Sequence, residues 1–447
     1  MYLGIDLGTS GLRALLIDDA QKTIASAERS YPVSHPHPGW SEQNPADWIA
    51  ACEGAVAEVK STAPAAFSAL RGIGISGQMH GATLIGPGDE ILRPCILWND
   101  TRSEAEAAAL DGTPGLRELS ANIVFPGFTA PKLAWVHKYE PEVFAKVRKV
   151  LLPKDYLGFW LTGTFVSDMS DSAGTSWLDV GKRDWSQTLL DAAGMHHAQM
   201  PTLVEGTEVA GTLRPDLAAQ WGVSAGVTVA GGAGDNAAAA CGVGALVEGD
   251  GFVSLGTSGV LLAARDSFAP APESAVHTFC HAVPGRWYQM GVILSATDSL
   301  NWLSQRLGAS PQDLSAALGG SIDAPGGIRF LPYLSGERTP HNDSQIRGAL
   351  IGLDIASTNE DLTRAVMEGV AFALRDSLEA LKSTGASLDR VLGIGGGAQS
   401  PYWIELLATV LDMPINLPDS QELGAALGAA RLAICAATGA APEDIMH

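Results

Sequence analysis

The chain has 447 residues with 49 acidic against 28 basic side chains, and its net charge of −21 argues against nucleic acid or an anionic membrane as partner. A hydrophobic content of 46% supports a substantial core, and 51 glycines without any low-complexity tract mark turns rather than disorder. Five scattered cysteines (Cys52, Cys95, Cys241, Cys280, Cys435) without Cys-x-x-Cys spacing exclude a zinc ribbon or disulfide scaffold and read as buried free thiols.

The length suggests roughly three domains of about 150 residues or two larger ones. No apolar run is long enough to span a membrane, no signal peptide precedes the first strand, and the cytoplasm is the expected location. The opening stretch Tyr2-Leu3-Gly4-Ile5-Asp6-Leu7-Gly8-Thr9-Ser10-Gly11 reads as a strand and a tight turn, with a second strand from Leu12 to Ile17. Its core recurs as Leu255-Gly256-Thr257-Ser258-Gly259, which favours two domains, 1–246 and 247–447, over three. Glycines freed from ordinary backbone angles would let each turn cradle a phosphate with its N–H groups and with Thr and Ser hydroxyls. Asp6 belongs to the first copy only, so that copy is expected to serve a metal and the second to serve phosphate alone. No Gly-Lys-Ser/Thr follows either copy, which excludes the single P-loop.

Thr23 to Val33 reads as a third strand, ended by the loop His35-Pro36-His37-Pro38-Gly39-Trp40, whose two histidines lack a third ligand nearby and fit a surface loop better than a metal site. Asn44 and Pro45 start a helix with Trp48, Cys52, Val56 and Val59 on its buried face. The strand Arg71 to Ser76 ends in Gly77-Gln78-Met79-His80-Gly81, and ligand groups favour such strand ends. Ile91 to Trp98 reads as another strand, followed by Asn99-Asp100-Thr101-Arg102, a polar cluster suited to gripping hydroxyls. Helical signals broken by prolines fill Ser103 to Asp191. The strand at Val227–Ala230 leads through Gly231–Gly234 to Asp235 and Asn236 at the start of an Ala-rich helix. Asp235 there is expected to be both an N-cap and an accessible carboxylate.

Strands at 252–255, 260–264, 277–282 and 287–292 repeat the opening of the chain. The loop Ser335 to His341 is expected to carry solvated charges. Thr358 and Asp361 form a capping box for a helix to about Leu381. The strand Val391–Ile394 meets Gly395-Gly396-Gly397-Ala398, glycines against which a flat ring can lie, and a last helix runs from Glu422 to Ala437.

Together, Asp6-Leu7-Gly8-Thr9-Ser10, Gln78-Met79-His80-Gly81, Thr129-x-x-Lys132-Leu133-x-Trp135, Gly231-x-x-Gly234-Asp235-Asn236, the second Gly-Thr-Ser turn, Gly395–Ala398 and Gly424-Ala425-Ala426-Leu427-Gly428 resemble the FGGY carbohydrate kinases in order along nearly the whole chain. The resemblance implies an α/β fold of two actin/hexokinase-like (ribonuclease H-like) domains with mixed sheets and a cleft between them. It implies sugar held mainly by the first domain and ATP with Mg²⁺ mainly by the second. Asp235 is then the base, Met79 and His80 contact a ketose with Asn236 alongside, and Asp6 supports the metal and phosphate. Gly8, Thr9, Ser10, Gly256, Thr257 and Ser258 line the phosphates, and Gly396 and Gly397 lie by the adenosine. Gln78-Met79-His80-Gly81 favours D-xylulose as substrate over ribulose, gluconate or glycerol, and a homodimer is allowed. Family members usually carry a further C-terminal segment, whereas this chain stops at His447. An actin/Hsp70-like ATPase shares the two turns but leaves Asp235 unexplained, and a catalytically dead sugar sensor leaves both carboxylates without a purpose.

Overall fold

The computed structural model describes residues 1–418 and 424–446. They form two compact units. Unit 1 takes Met1–Leu246, Phe279–Arg286 and the C-terminal residues 424–446, and unit 2 takes Val247–Thr278 and 287–418. Each is a mixed sheet with helices.

In unit 1, β1 (Tyr2–Leu7), β2 (Gly11–Ile17) and β3 (Thr23–Ser30) form an antiparallel meander. β4 (Gly72–Gly77) joins β1 in parallel. β5 (Val209–Thr212), β6 (Thr228–Ala230) and the short β7 (Ala233–Gly234) follow, giving the order β5-β6-β4-β1-β2-β3 with β7 paired to the end of β4. Side chains alternate across the sheet as the pleat requires. Leu3, Ile5, Leu7, Leu12, Ala14 and Leu16 pack with Trp48, Cys52, Val56 and Val59 of the helix Pro45–Thr62. That helix begins as read, with Asn44 Oδ1 accepting from Ala46 N at 3.1 Å and Pro45 in its first turn. Tyr2, Leu15 and Ile17 face the other way, onto the helix Ala425–Thr438.

This last helix is buried on almost all sides, and small residues let main chain approach main chain. A Cβ added at Gly4 or Gly74 would overlap the carbonyl oxygens of Ala426 and Ala429, and one at Gly428 would overlap Ala238 O in the helix Asp235–Val243. Arg431 Nη1 donates to the carbonyls of Cys241 and Gly242, both at 3.0 Å, at the end of that second helix, where positive charge meets the negative end of the dipole. Gly- and Ala-mediated packing thus seats the C-terminal helix in unit 1. Glu422 and Leu423, where the sequence suggested that helix begins, lie outside the described residues.

Unit 2 repeats the pattern. β8 (Gly249–Leu255), β9 (Gly259–Arg265) and β10 (Trp287–Ile293) are antiparallel, while β11 (Leu388–Ile394) and β12 (Ile415–Asn416) extend the sheet in parallel beyond β8. The helix Asn359–Ser383 has its expected capping box, Thr358 Oγ1 accepting from Asp361 N at 3.2 Å and Asp361 Oδ2 from Thr358 N at 3.0 Å. All five cysteines are buried free thiols. No helix among the described residues is long and apolar enough to cross a membrane.

Three local expectations change. Within Ile91–Trp98 only Cys95–Ile96 pairs as strand. In the cluster after it Asp100 and Arg102 are spent on each other, since buried Asp100 takes Arg102 through two bonds and also accepts from Ser41 N, while Asn99 stays exposed. The loop Ser335 to His341 is not solvated at Glu337, which is 3% exposed and accepts from the N–H groups of Leu294 and Arg338 at 3.0 and 2.8 Å. Both amides meet Oε1, while Oε2 is buried without a hydrogen bond.

Candidate active site

The register of three parallel strands gathers the site of unit 1. Asp6 stands opposite Ser76 in the β1–β4 pair, and Ala233 and Gly234 of β7 stand opposite Ser76 and Gly77. The C-terminal ends of β1, β4 and β7 thus bring Asp6, Gln78-Met79-His80 and Asp235 to one edge, the place where open α/β sheets bind ligands. Asp6 Oδ1 accepts from Ser76 Oγ at 2.6 Å, and burial raises its pKa although Arg13, its cross-strand partner in β2, pulls it down.

Asp235 is half-buried and is the first residue of its helix, so the capping position belongs to Gly234 and not to Asp235 as the sequence suggested. Its Oδ1 accepts from the N and Nδ2 of Asn236 at 2.7 and 2.9 Å, which spends the Asn236 side chain on Asp235. Burial, then the charge of Asp6, pushes Asp235 up to about 7 against the pull of the Asn236 bonds. A general base works best with its pKa near the operating pH.

Behind Asp235 lies a buried cluster that the sequence reading missed. Lys154 Nζ pairs with Asp155 at 2.6 Å and Asp168 at 2.8 Å. Asp168 Oδ2 accepts from Ser170 N and Oγ at 2.7 and 2.5 Å, and Ser170 Oγ accepts from Gly234 N at 3.1 Å, fixing the residue before the candidate base. Asp171 is fully buried with neither carboxyl oxygen hydrogen-bonded, its Oδ2 lying 4.0 Å from Lys154 Nζ, and burial holds its pKa well up despite Lys154. The only clue in the sequence was the polar run Ser167-Asp168-Met169-Ser170-Asp171.

His80 adopts a left-handed φ of +69°. Its Nδ1 donates to Gly174 O at 2.7 Å, because a carbonyl can only accept, and its ring stacks on Phe128 with centroids 4.4 Å apart and planes 18° apart. Gly174 is required beside it, as a Cβ there would lie 2.5 Å from two ring atoms.

The two Gly-Thr-Ser turns are hairpins as expected, but none of Gly8, Gly11, Gly256 and Gly259 has a positive φ. Close packing explains Gly11 and Gly259 instead: a Cβ on Gly11 would lie 2.8 Å from Arg29 O, and one on Gly259 would lie 2.7 Å from Ile293. In the first turn Gly8 N donates to Gly11 O at 3.0 Å, Trp98 Nε1 donates to Thr9 Oγ1 at 2.9 Å, and Ser10 is exposed. In the second, Gly256 O accepts from Thr297 N and Oγ1 at 2.9 and 2.7 Å, and Thr257 O from Ala296 N at 2.8 Å, which ties the turn to the start of the helix Thr297–Leu307. Ser258 follows at half-burial before β9.

Thr297 also borders a cavity of about 500 Å³ in unit 2, floored by Gly396 and Gly397 and walled by Asn301, Gln312 and Tyr402. Gly395 takes a φ of +87°, and the space in front of Gly396 is open, so a planar group can reach the main chain there. Among the described residues no three acidic, histidine or cysteine side chains gather as a metal cluster.

The sequence profile of the N-terminal domain of the FGGY family of carbohydrate kinases matches residues 1–242, and that of the C-terminal domain matches residues 251–437. A xylulose kinase of Escherichia coli (strain K12) is 46% identical over 98% of this chain and 90% of its own. The crystal structure of a "xyloylose kinase" from Brucella ovis is 59% identical and superposes with a TM-score of 0.98, covering 100% of this chain and 92% of that one. That of a gluconate kinase from Lactobacillus acidophilus, at 26% identity, superposes with a TM-score of 0.91 over 99% and 90%.

Proposed function

The chain belongs to the FGGY family of carbohydrate kinases, and on that footing we propose that it transfers the γ-phosphoryl group of ATP to D-xylulose, giving the 5-phosphate. The observation that carries the chemistry is Asp235, a half-buried carboxylate whose pKa is pushed to about 7, set at the strand ends beside Asp6 and the Met79-His80 turn. The choice of sugar is supported by the relatives, xylulose kinases that match nearly the whole length of the chain.

In this reading unit 1 binds the sugar and unit 2 the nucleotide. Asp235 accepts the hydroxyl proton as that oxygen attacks the γ-phosphorus and the bond to the ADP oxygen breaks. Asn236 orients the Asp235 carboxylate through its two bonds. The bond between Nδ1 and Gly174 O fixes the plane of the His80 ring toward the sugar, while Met79 covers the apolar side of the sugar. Gly396 and Gly397 take the adenosine in the 500 Å³ cavity of unit 2, and in the same unit the turn Gly256–Ser258, tied to Thr297 at the edge of that cavity, serves the phosphates.

A magnesium ion fits the donor set in one way. Mg²⁺ keeps most of its waters and takes phosphate oxygens, so one protein carboxylate suffices, and Asp6 is half-buried, held by the Ser76 hydroxyl and then by Arg13, where its charge already disfavours that of Asp235. When bound, the ion supplies positive charge to the phosphoryl oxygens. The reading places the enzyme in the cytoplasm, and size-exclusion chromatography decides between monomer and homodimer.

A coupled assay of ADP release across D-xylulose, ribulose, gluconate and glycerol tests the function. The expected result is the highest kcat/KM for D-xylulose and little ATP turnover without sugar. A higher kcat/KM for another sugar removes the substrate, and rapid sugar-independent turnover removes the kinase reading.

A further inference from the structure

The segment Thr129-x-x-Lys132 has no part in the chemistry above, yet both side chains end on one atom. Thr129 Oγ1 and Lys132 Nζ donate to the main-chain carbonyl of His80 at 3.1 and 2.8 Å, and Lys132 Nζ also donates to Gly127 O at 2.7 Å. Both residues are fully buried on the helix Thr129–Tyr139. Taking an ammonium out of water is expensive, and a well-packed apolar side chain of the same volume is often the more stable choice. Both hydrogen bonds of this ammonium go to main-chain carbonyls, one of which belongs to a strained turn.

The turn is identifiable. Gly81 N donates to Met79 O at 2.9 Å around a His80 φ of +69°, the geometry of the γ-turn with positive φ, which is rare and strained for a residue with a side chain. Such backbone persists only where its surroundings over-determine it, and it clusters at ligand sites. Here the surroundings are the two donors on the His80 carbonyl and the Gly174 acceptor on its ring.

We propose that Thr129 and Lys132 are positioning residues for the sugar: they hold the His80 γ-turn, and through it the directions of the Met79 and His80 side chains, before the substrate arrives. The proposal rests on the reading of Met79 and His80 as sugar contacts. Without the two donors the turn relaxes to an ordinary backbone conformation and the sugar must reform it on binding, so the loss falls on sugar affinity and spares the nucleotide.

The test compares Lys132→Met, which keeps length without the donor, and Thr129→Val, which keeps shape without the hydroxyl, in the full-length protein. KM for D-xylulose and for ATP, and kcat, are measured beside the thermal midpoint. The expected result is a KM for D-xylulose raised about 10–100-fold in Lys132→Met and about 3–10-fold in Thr129→Val, on the scale of one lost charged or neutral hydrogen bond, with KM for ATP unchanged. A merely structural role would lower the thermal midpoint and the active fraction, and so kcat, while both KM values stay at wild type; that outcome overturns the proposal. Should Lys132→Met fail to fold, Thr129→Val decides alone, and a wild-type KM in it overturns the proposal. Turnover of D-xylulose by the wild type is the control: its absence removes the functional reading and this proposal with it, whereas turnover with unaffected variants removes the proposal alone.

Discussion

Gly174→Ala tests the His80 wall of the sugar site with one methyl group. Gly174 has no positive φ, so alanine fits its backbone and the effect comes from the added Cβ alone. That Cβ would stand 2.5 Å from His80 Cε1 and Nδ1 and 2.9 Å from Met79 Cε. The Met79 methyl is the end of a flexible chain and moves away easily. The imidazole has less room: a contact of at least 3.0 Å requires a retreat of about 0.5 Å, and an ordinary 3.4 Å requires about 0.9 Å, with Phe128 stacked on the ring at 4.4 Å. Forcing a methyl into such packing costs about 1–3 kcal/mol. If that cost is levied on the sugar-binding arrangement, KM for D-xylulose rises roughly 5–150-fold, at 1.4 kcal/mol per factor of ten. KM for ATP should not change, since Gly396 and Gly397 and the cavity they floor lie in unit 2. Steady-state kinetics with each substrate varied, beside the thermal midpoint, measures this. A folded variant whose KM for D-xylulose stays within twofold of wild type would refute the placing of His80 against the sugar.

Gly428→Ala should lower the thermal midpoint and kcat together, because its Cβ overlaps Ala238 O and pushes on the helix that begins with Asp235, where a misplacement of about 1 Å can cost 10²-fold in rate; an unchanged kcat would separate that packing from the chemistry. A Cβ at Gly396 meets no atom within 4 Å, so the fold should tolerate Gly396→Ala while calorimetry shows weaker ATP binding and unchanged D-xylulose binding; equal ATP affinity would place the adenosine elsewhere. The base must be ionised, so kcat/KM should rise with pH through about 7 and level off above it, and a flat profile from pH 5 to 8 would contradict the raised pKa. The sign for stability is opposite: folded Asp235 holds its proton up to about 7 and the unfolded group to about 3.8, so its contribution is present at low pH and is lost as pH rises to about 7.

Local features were legible because their causes are local. Asn44-Pro45, Thr358 with Asp361, and the buried stripe from Trp48 to Val59 each lie within a few turns of one helix, and each forms as read. The two hairpins were also legible, but the reason for Gly11 and Gly259 was not, since it lies in the neighbouring strands that carry Arg29 and Ile293. The seat of the helix Ala425–Thr438 on Gly4 and Gly74 joins the two ends of the chain, and no periodicity reports such a distance. Asp235 was legible as a carboxylate at a strand end, whereas its raised pKa comes from burial and then from Asp6, both of which strand register brings about. Glu337 and Asp100 read as solvated or ligand-facing because charge in a loop usually is; their partners, the Leu294 amide and Arg102, decide otherwise.

Asp235→Asn tests the assignment of the base most directly. The amide keeps the size of the side chain but cannot take up the hydroxyl proton, and because Gly234 holds the capping position the substitution removes no helix cap. The variant should fold, keep KM for ATP and D-xylulose near wild type, and lose roughly 10²–10⁴-fold in kcat, the usual share of a positioned general base. A folded Asp235→Asn protein that binds both substrates and turns over at near wild-type kcat would contradict it.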